Sequence, residues 1–127
     1  MLHIKYMTVP RYIAGGLVAV YVGTYKTPTI IGETGWTSGG VSSEELQANY
    51  IQLVSQYSFE KSLETNGEAP FGLIIHRYKD LDISKPHPFV CPFNLTEYTF
   101  GLLREDGSTK LGWYAYQRAI RVAGGSG

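Results

Sequence analysis

The residues able to do chemistry concentrate in one short run, Thr29-Ile30-Ile31-Gly32-Glu33-Thr34-Gly35-Trp36-Thr37-Ser38-Gly39-Gly40. Its Ile-Ile pair predicts a short buried strand, and the glycines that follow predict backbone that bends sharply or packs closely. Glu33 is thereby fixed near the end of a rigid element, with the Trp36 indole beside it. A positioned carboxylate can act on an anomeric carbon, and a flat aromatic face can carry pyranose C–H groups. Together they point to sugar chemistry. The bland rivals are a structural Glu33–Arg77 pair and a Trp36 that is simply core at a strand end.

The stretch Glu33-Thr34-Gly35-Trp36-Thr37-Ser38-Gly39-Gly40 resembles the Glu-Thr-Gly-Trp-Pro-Ser-x-Gly signature of family-seventeen glycoside hydrolases, the β-1,3-glucanases and their relatives. The resemblance is specific at 33–40 and loose over the rest of 27–120. It implies the C-terminal part of a (β/α)8 barrel, with Glu33 as catalytic nucleophile at the end of the seventh strand. Thr37 stands where that family has proline. The acid/base glutamate, carried by the family in an Asn-Glu pair on strand four, has no counterpart, because no Asn-Glu dipeptide occurs here. The nearest, Asn66-Gly67-Glu68, reads as a loop.

Length explains that absence. A full barrel needs about 250 residues, and this chain has 127, so the motif leaves room behind it for two βα units. Thr27-Pro28 predicts a turn into a strand over Thr29 to Gly32. Ser42 or Ser43 can cap the helix that follows, and Glu44 and Glu45 suit the positive end of its dipole. Leu46, Tyr50, Leu53, Val54 and Tyr57 recur on one helical face, and Asn66-Gly67 closes the region. Phe71 to Tyr78 predicts the next buried strand around Leu73, Ile74 and Ile75. In family terms it is strand eight, delivering His76, Arg77, Tyr78, Lys79, Asp80 and Asp82 to the barrel mouth.

The Pro-rich stretch from Asp80 to Thr99 reads as a long loop. Tyr98 to Arg104, followed by Glu105-Asp106-Gly107-Ser108, resembles the stretch that introduces the last helix of barrel glycosidases. Ser108 or Thr109 would cap that helix, and Lys110, Trp113, Tyr114, Tyr116 and Ile120 fit it. Upstream, residues 3–9 read as a short strand before Pro10. Residues 11–25 are ambiguous: Leu17, Val18, Val20 and Val22 favour a strand, and the resemblance favours a sixth barrel helix. The expected fold is therefore α/β, parallel βα units amounting to half or less of a barrel, with a small α+β domain as the alternative. Residues 1–123 read as one domain and 124–127 as a flexible linker or appended tail.

Eleven basic and eleven acidic residues leave no net charge, which argues against nucleic acid or anionic lipid as the main partner. The single cysteine, Cys91, excludes an intrachain disulfide and reads as a small buried hydrophobe. No segment reads as a targeting signal, and the apolar stretch from Tyr12 to Tyr25 is too short and Gly-rich to span a membrane. A soluble chain is expected. No pair among His3, His76, His87 and Cys91 has metal-ligand spacing, and no phosphate-binding loop is present. No metal or cofactor is expected. Asn94-Leu95-Thr96 is a glycosylation sequon that reads as coincidence.

Glu33 is thus the catalytic candidate, and Trp36, Tyr78, His76 and Asp80 are the substrate-binding candidates. For a second carboxyl group the chain offers Glu60, Glu97, Asp80 or Asp82, none with a motif behind it. His76 on an apolar strand equally suits a satisfied core histidine, and Asp80 and Asp82 equally suit a solvated loop. Two or three βα units leave sheet edges and apolar faces uncovered, so self-association or a complementing barrel half is expected. The readings in competition are a glycosidase-derived chain acting on β-glucan, a non-catalytic carbohydrate-binding or structural module, and an unrelated small domain.

Overall fold

The computed structural model describes residues 30–68, 70, 72–85, 87 and 95–124. The readings at residues 3–9 and 11–25, the Thr27-Pro28 turn, Phe71, Cys91 and Asn94 lie outside them. The chain order is β1 (Ile30–Thr34), α1 (Glu44–Glu64), β2 (Gly72–Ile75), a 3₁₀ helix (Leu95–Thr99) and α2 (Leu111–Gly124). β1 and β2 form a two-stranded parallel sheet. The molecule is a small α/β piece, and the α+β alternative is set aside. Gly124 closes α2, so that helix runs into the residues assigned to the tail.

α1 forms where its caps demand it. Ser43 is the N-cap and its hydroxyl accepts from the Leu46 N–H at 3.1 Å, satisfying one of the free amides of the first turn. At the other end Asn66 and Gly67 take left-handed φ values of 56° and 85°. The Gly67 N–H then reaches back to the Ser62 carbonyl at 2.7 Å. Such a reversal suits an Asn-Gly pair, because glycine adopts it without a Cβ penalty.

The buried stripe of α1 is Gln47, Tyr50, Ile51, Val54 and Ser58. The expected face was turned slightly wrong, since Leu53 and Tyr57 are only half-buried and Leu46 is partly exposed. The reason is that α1 faces two partners. Tyr50 and Val54 pack with Ile31 of β1 and with Trp36 just beyond that strand. Ile51 packs with Leu102 and Ala115 toward α2.

The strands differ from expectation in burial and in extent, β1 running on to Thr34 beyond the expected Gly32. Ile31 is buried, but Ile30 and Ile74 are 46% and 52% exposed. Both helices cover the same side of the sheet, so only alternate strand residues are enclosed. The other face, carrying Ile30, Gly32 and Ile74, is open. β2 also stops at Ile75, short of the expected Tyr78. No helix among the described residues is long and apolar enough to cross a membrane.

Candidate functional site

Strand alternation alone would send Glu33 to the same side as Ile31, into the helices. The register prevents it. Ile31 pairs with Leu73 and Thr34 with Ile75, so three steps on β1 match two on β2 and the ladder shifts between them. This irregularity absorbs an extra residue at Gly32-Glu33 and reverses the alternation, as a bulge does. Thr34 turns to the helix side, where its hydroxyl shares a 2.6 Å hydrogen bond with the Tyr50 phenol. Glu33 turns to the open face.

His76 reaches that face from the next strand. Its backbone N–H donates to the Thr34 carbonyl at 2.7 Å, carrying the parallel pairing past the end of β2. Its imidazole Nδ1 lies 3.5 Å from Glu33 Oε1, with the Glu33 side chain 70% exposed and the His76 side chain 26%. The Phe100 ring packs against the imidazole at a centroid distance of 5.6 Å. Gly35 permits this approach: a Cβ there would stand 2.2 Å from the His76 carbonyl oxygen.

The loops behind Glu33 are tied together by buried polar side chains. Lys110, immediately before α2, donates to Asp80 Oδ1 at 2.7 Å, to the Ser38 hydroxyl at 2.9 Å and to the Thr99 carbonyl at 3.4 Å. The Asp80–Lys110 pair is nearly enclosed, with side chains 11% and 3% exposed. Asp80 Oδ1 also accepts from the Gly101 N–H at 2.8 Å. Gln47, fully buried on α1, donates through Nε2 to the carbonyls of Trp36, Phe100 and Gly101 at 3.0–3.3 Å. Thr37, in the position the family signature gives to proline, donates to the Thr96 carbonyl at 3.0 Å and shares a 2.6 Å bond with the Thr99 hydroxyl. It also accepts from the Gly39 N–H at 3.1 Å.

Each sequence-derived candidate has a definite place. Trp36 is 6% exposed and its ring stacks on Tyr50 at 5.0 Å, so its packing is that of a core residue and little of the indole faces outward. Tyr78 is 65% exposed, with its ring edge-on to Trp113 of α2 at 6.2 Å. Asp80 belongs to the buried pair rather than to a solvated loop. Glu33 meets His76, not Arg77, within ion-pair distance.

The other carboxylates are engaged or remote. Asp82 accepts from the Ser84 hydroxyl and amide at 2.6 and 2.9 Å. The Ser84 hydroxyl first, then its amide and Lys85, hold the Asp82 carboxyl below the usual range. Glu97 is partly exposed on the 3₁₀ helix. Glu60 accepts from Gln56 at 3.1 Å. It lies about 20 Å down α1 from Gln47, at 1.5 Å per residue. Among the described residues no cluster of three or more His, Cys, Asp or Glu side chains is arranged to hold a metal.

The sequence reading missed Gln47 and the burial of Lys110. Gln47 had a usable signal: it falls on the stripe of Tyr50, Ile51 and Val54, and a polar residue there must find partners. Lys110 had none, because a lysine before a helix is ordinarily solvated.

No protein-family model matches the chain, and no curated protein matches it. Solved structures do. The GH5_18 enzyme from Streptomyces cattleya, solved in complex with GlcNAc, superposes with a TM-score of 0.62 at 19% identity, over 91% of this chain and 25% of that one. A GH5_18 variant from Bifidobacterium longum subsp. longum, in complex with Manβ1-4GlcNAc, gives 0.56 at 16% identity over 91% and 24%. A β-glucuronidase from Faecalibacterium prausnitzii gives 0.60 at 18% identity over 91% and 19%. The chain spans about a quarter of the length of the GH5_18 enzymes it matches. Its fold is like that of a portion of these glycoside hydrolases, and the family-seventeen resemblance is not among these matches.

Proposed function

We propose that the open face at the carboxyl ends of β1 and β2 is a carbohydrate site of the retaining glycoside-hydrolase type, with Glu33 as the nucleophile-equivalent carboxylate. One observation carries this reading: the register shift that turns Glu33 out of the helix-covered side and onto the uncovered face beside His76. A residue there for packing alone would gain nothing from the reversal. The family-seventeen signature around Glu33 supports β-glucan as the substrate class. The GlcNAc and Manβ1-4GlcNAc held by solved enzymes of like fold support a carbohydrate ligand more broadly. Tyr78 offers an exposed ring on which a sugar face can lie.

In such a site the carboxylate attacks the anomeric carbon while a carboxylic acid about 5–5.5 Å away protonates the departing oxygen, and water later releases the sugar. Asp80 is committed to Lys110 and Gly101, which favours a proton donor from elsewhere. The open sheet face and, among the described residues, two strands with one neighbour each favour the same source: further βα units, as a complementing barrel half or a second copy. The (β/α)8 architecture is the proposed completed form. A non-catalytic binding module is the second reading, and the engaged state of Asp80 is what favours it.

Laminarin separates the two. Turnover by the wild-type chain, alone or with a complementing half, and its loss in Glu33→Gln with affinity retained, supports the hydrolase. Affinity without turnover in either form supports the module. No affinity at all overturns both, and a clean monomer by light scattering under assay conditions rules out self-association as the route to activity.

A further inference from the structure

We propose that His76 is a positioning residue for the Glu33 carboxylate rather than a contact to the sugar. The inference rests on the reading of Glu33 as nucleophile. Glu33 is mostly exposed, and an exposed glutamate samples several rotamers, only some of which aim an oxygen at a substrate carbon. His76 is the opposite kind of residue. Its backbone is bonded to Thr34, its carbonyl abuts Gly35, and its ring is backed by Phe100. A fixed imidazole thus stands beside a movable carboxylate, with Nδ1 3.5 Å from Oε1.

A proton on Nδ1 occupies one carboxylate oxygen and leaves the other free to attack. Closing the 3.5 Å separation to a hydrogen bond requires only a small swing of the exposed Glu33 side chain. The bulge and the parallel bond from His76 to Thr34 bring both residues to the open face together. The atom that matters is Nδ1, near the backbone. Asparagine carries its amide nitrogen at a comparable reach, whereas glutamine extends toward the place of Nε2.

The test is trapping with 2,4-dinitrophenyl 2-deoxy-2-fluoro-β-glucoside, whose leaving group departs without a proton donor. Glu33 forms an ester bond to C1 as the C1–O bond to the aryl group breaks, and dinitrophenolate carries off the electron pair. Phenolate absorbance gives the rate, and peptide mass spectrometry locates the label. Wild type is expected to label at Glu33. His76→Ala and His76→Gln are expected to lose about 100-fold in the limiting rate, with the half-saturating concentration unchanged, and His76→Asn to restore most of it. Circular dichroism checks that each variant is folded.

Labelling of His76→Ala at the wild-type rate overturns the inference alone, as does a loss confined to the half-saturating concentration. A wild-type chain that takes no label at Glu33 overturns the nucleophile reading and this inference with it.

Discussion

At the carboxyl ends of the strands the loops are tied to one another by buried polar side chains, whereas toward the amino ends the helices part over an apolar cleft. The first region holds the Asp80–Lys110 pair, the three bonds from Gln47 and the hydroxyls of Thr37 and Thr99. The second is a cleft of about 650 Å³ lined by Phe59, Leu63, Leu73, Tyr116 and Ile120. Leu63, Ile120 and Val122 are exposed around it. The mouth is stabilised by directional bonds that need nothing from outside the piece. The other end has apolar surface with no cover among the described residues. Among the described residues, the loops at the carboxyl ends of the strands are therefore held in place without apolar cover at the other end.

Breaking the mouth network should be the costliest change. Lys110→Met leaves the Asp80 carboxylate enclosed without its cation and releases Ser38, and the loss of one partner of a buried pair costs about 3–5 kcal/mol. A urea midpoint measured by circular dichroism reads this directly. Asp80→Asn combined with Lys110→Met should recover part of the loss, because no charge then remains unpaired. Gln47→Leu comes next. It removes a donor from three buried carbonyls, of which Phe100 keeps the Arg77 N–H, and an expected loss of about 2 kcal/mol follows from the acceptors left at Trp36 and Gly101, read by the same midpoint.

The contrast was only partly legible in the sequence. The Ser43 cap, the Asn66-Gly67 stop and the parallel order of strand, helix and strand follow from local chemistry, and local chemistry is what a sequence displays. The outward turn of Glu33 has no local signal in the sequence. The motif placed Glu33 at a strand end, but the register shift that turns it outward depends on pairing with Leu73 and Ile75, which no run of residues announces. Ile30 and Ile74 were misread because burial depends on how many faces the helices cover. Lys110 was invisible because its burial arises only when Ser38, Asp80 and Thr99 arrive from distant parts of the chain.

A third test bears on Tyr50, which joins the mouth to the core. Burial pushes its phenol above the ordinary value of 10.0, against a smaller opposing pull from the Thr34 bond. The folded chain thus holds the proton more tightly than the unfolded one. The stabilisation from this group is fully present below pH 10 and is lost as pH rises through the raised value. Tyr50→Phe should flatten the alkaline fall of the urea midpoint. The smallest effect belongs to the open end: Ile120→Glu changes an exposed side chain and should move stability by no more than about 0.5 kcal/mol. A large loss there would show that the cleft is already covered in the isolated chain.

Amide chemical shifts of the labelled chain, followed as laminarin oligosaccharide is added, test the central claim most directly. Glu33 to Gly35 and His76 to Tyr78 should move in a saturable way while Phe59, Leu63 and Ile120 stay fixed. Movement confined to the cleft between the helices, or none at the carboxyl ends of the strands, would contradict a carbohydrate site at Glu33.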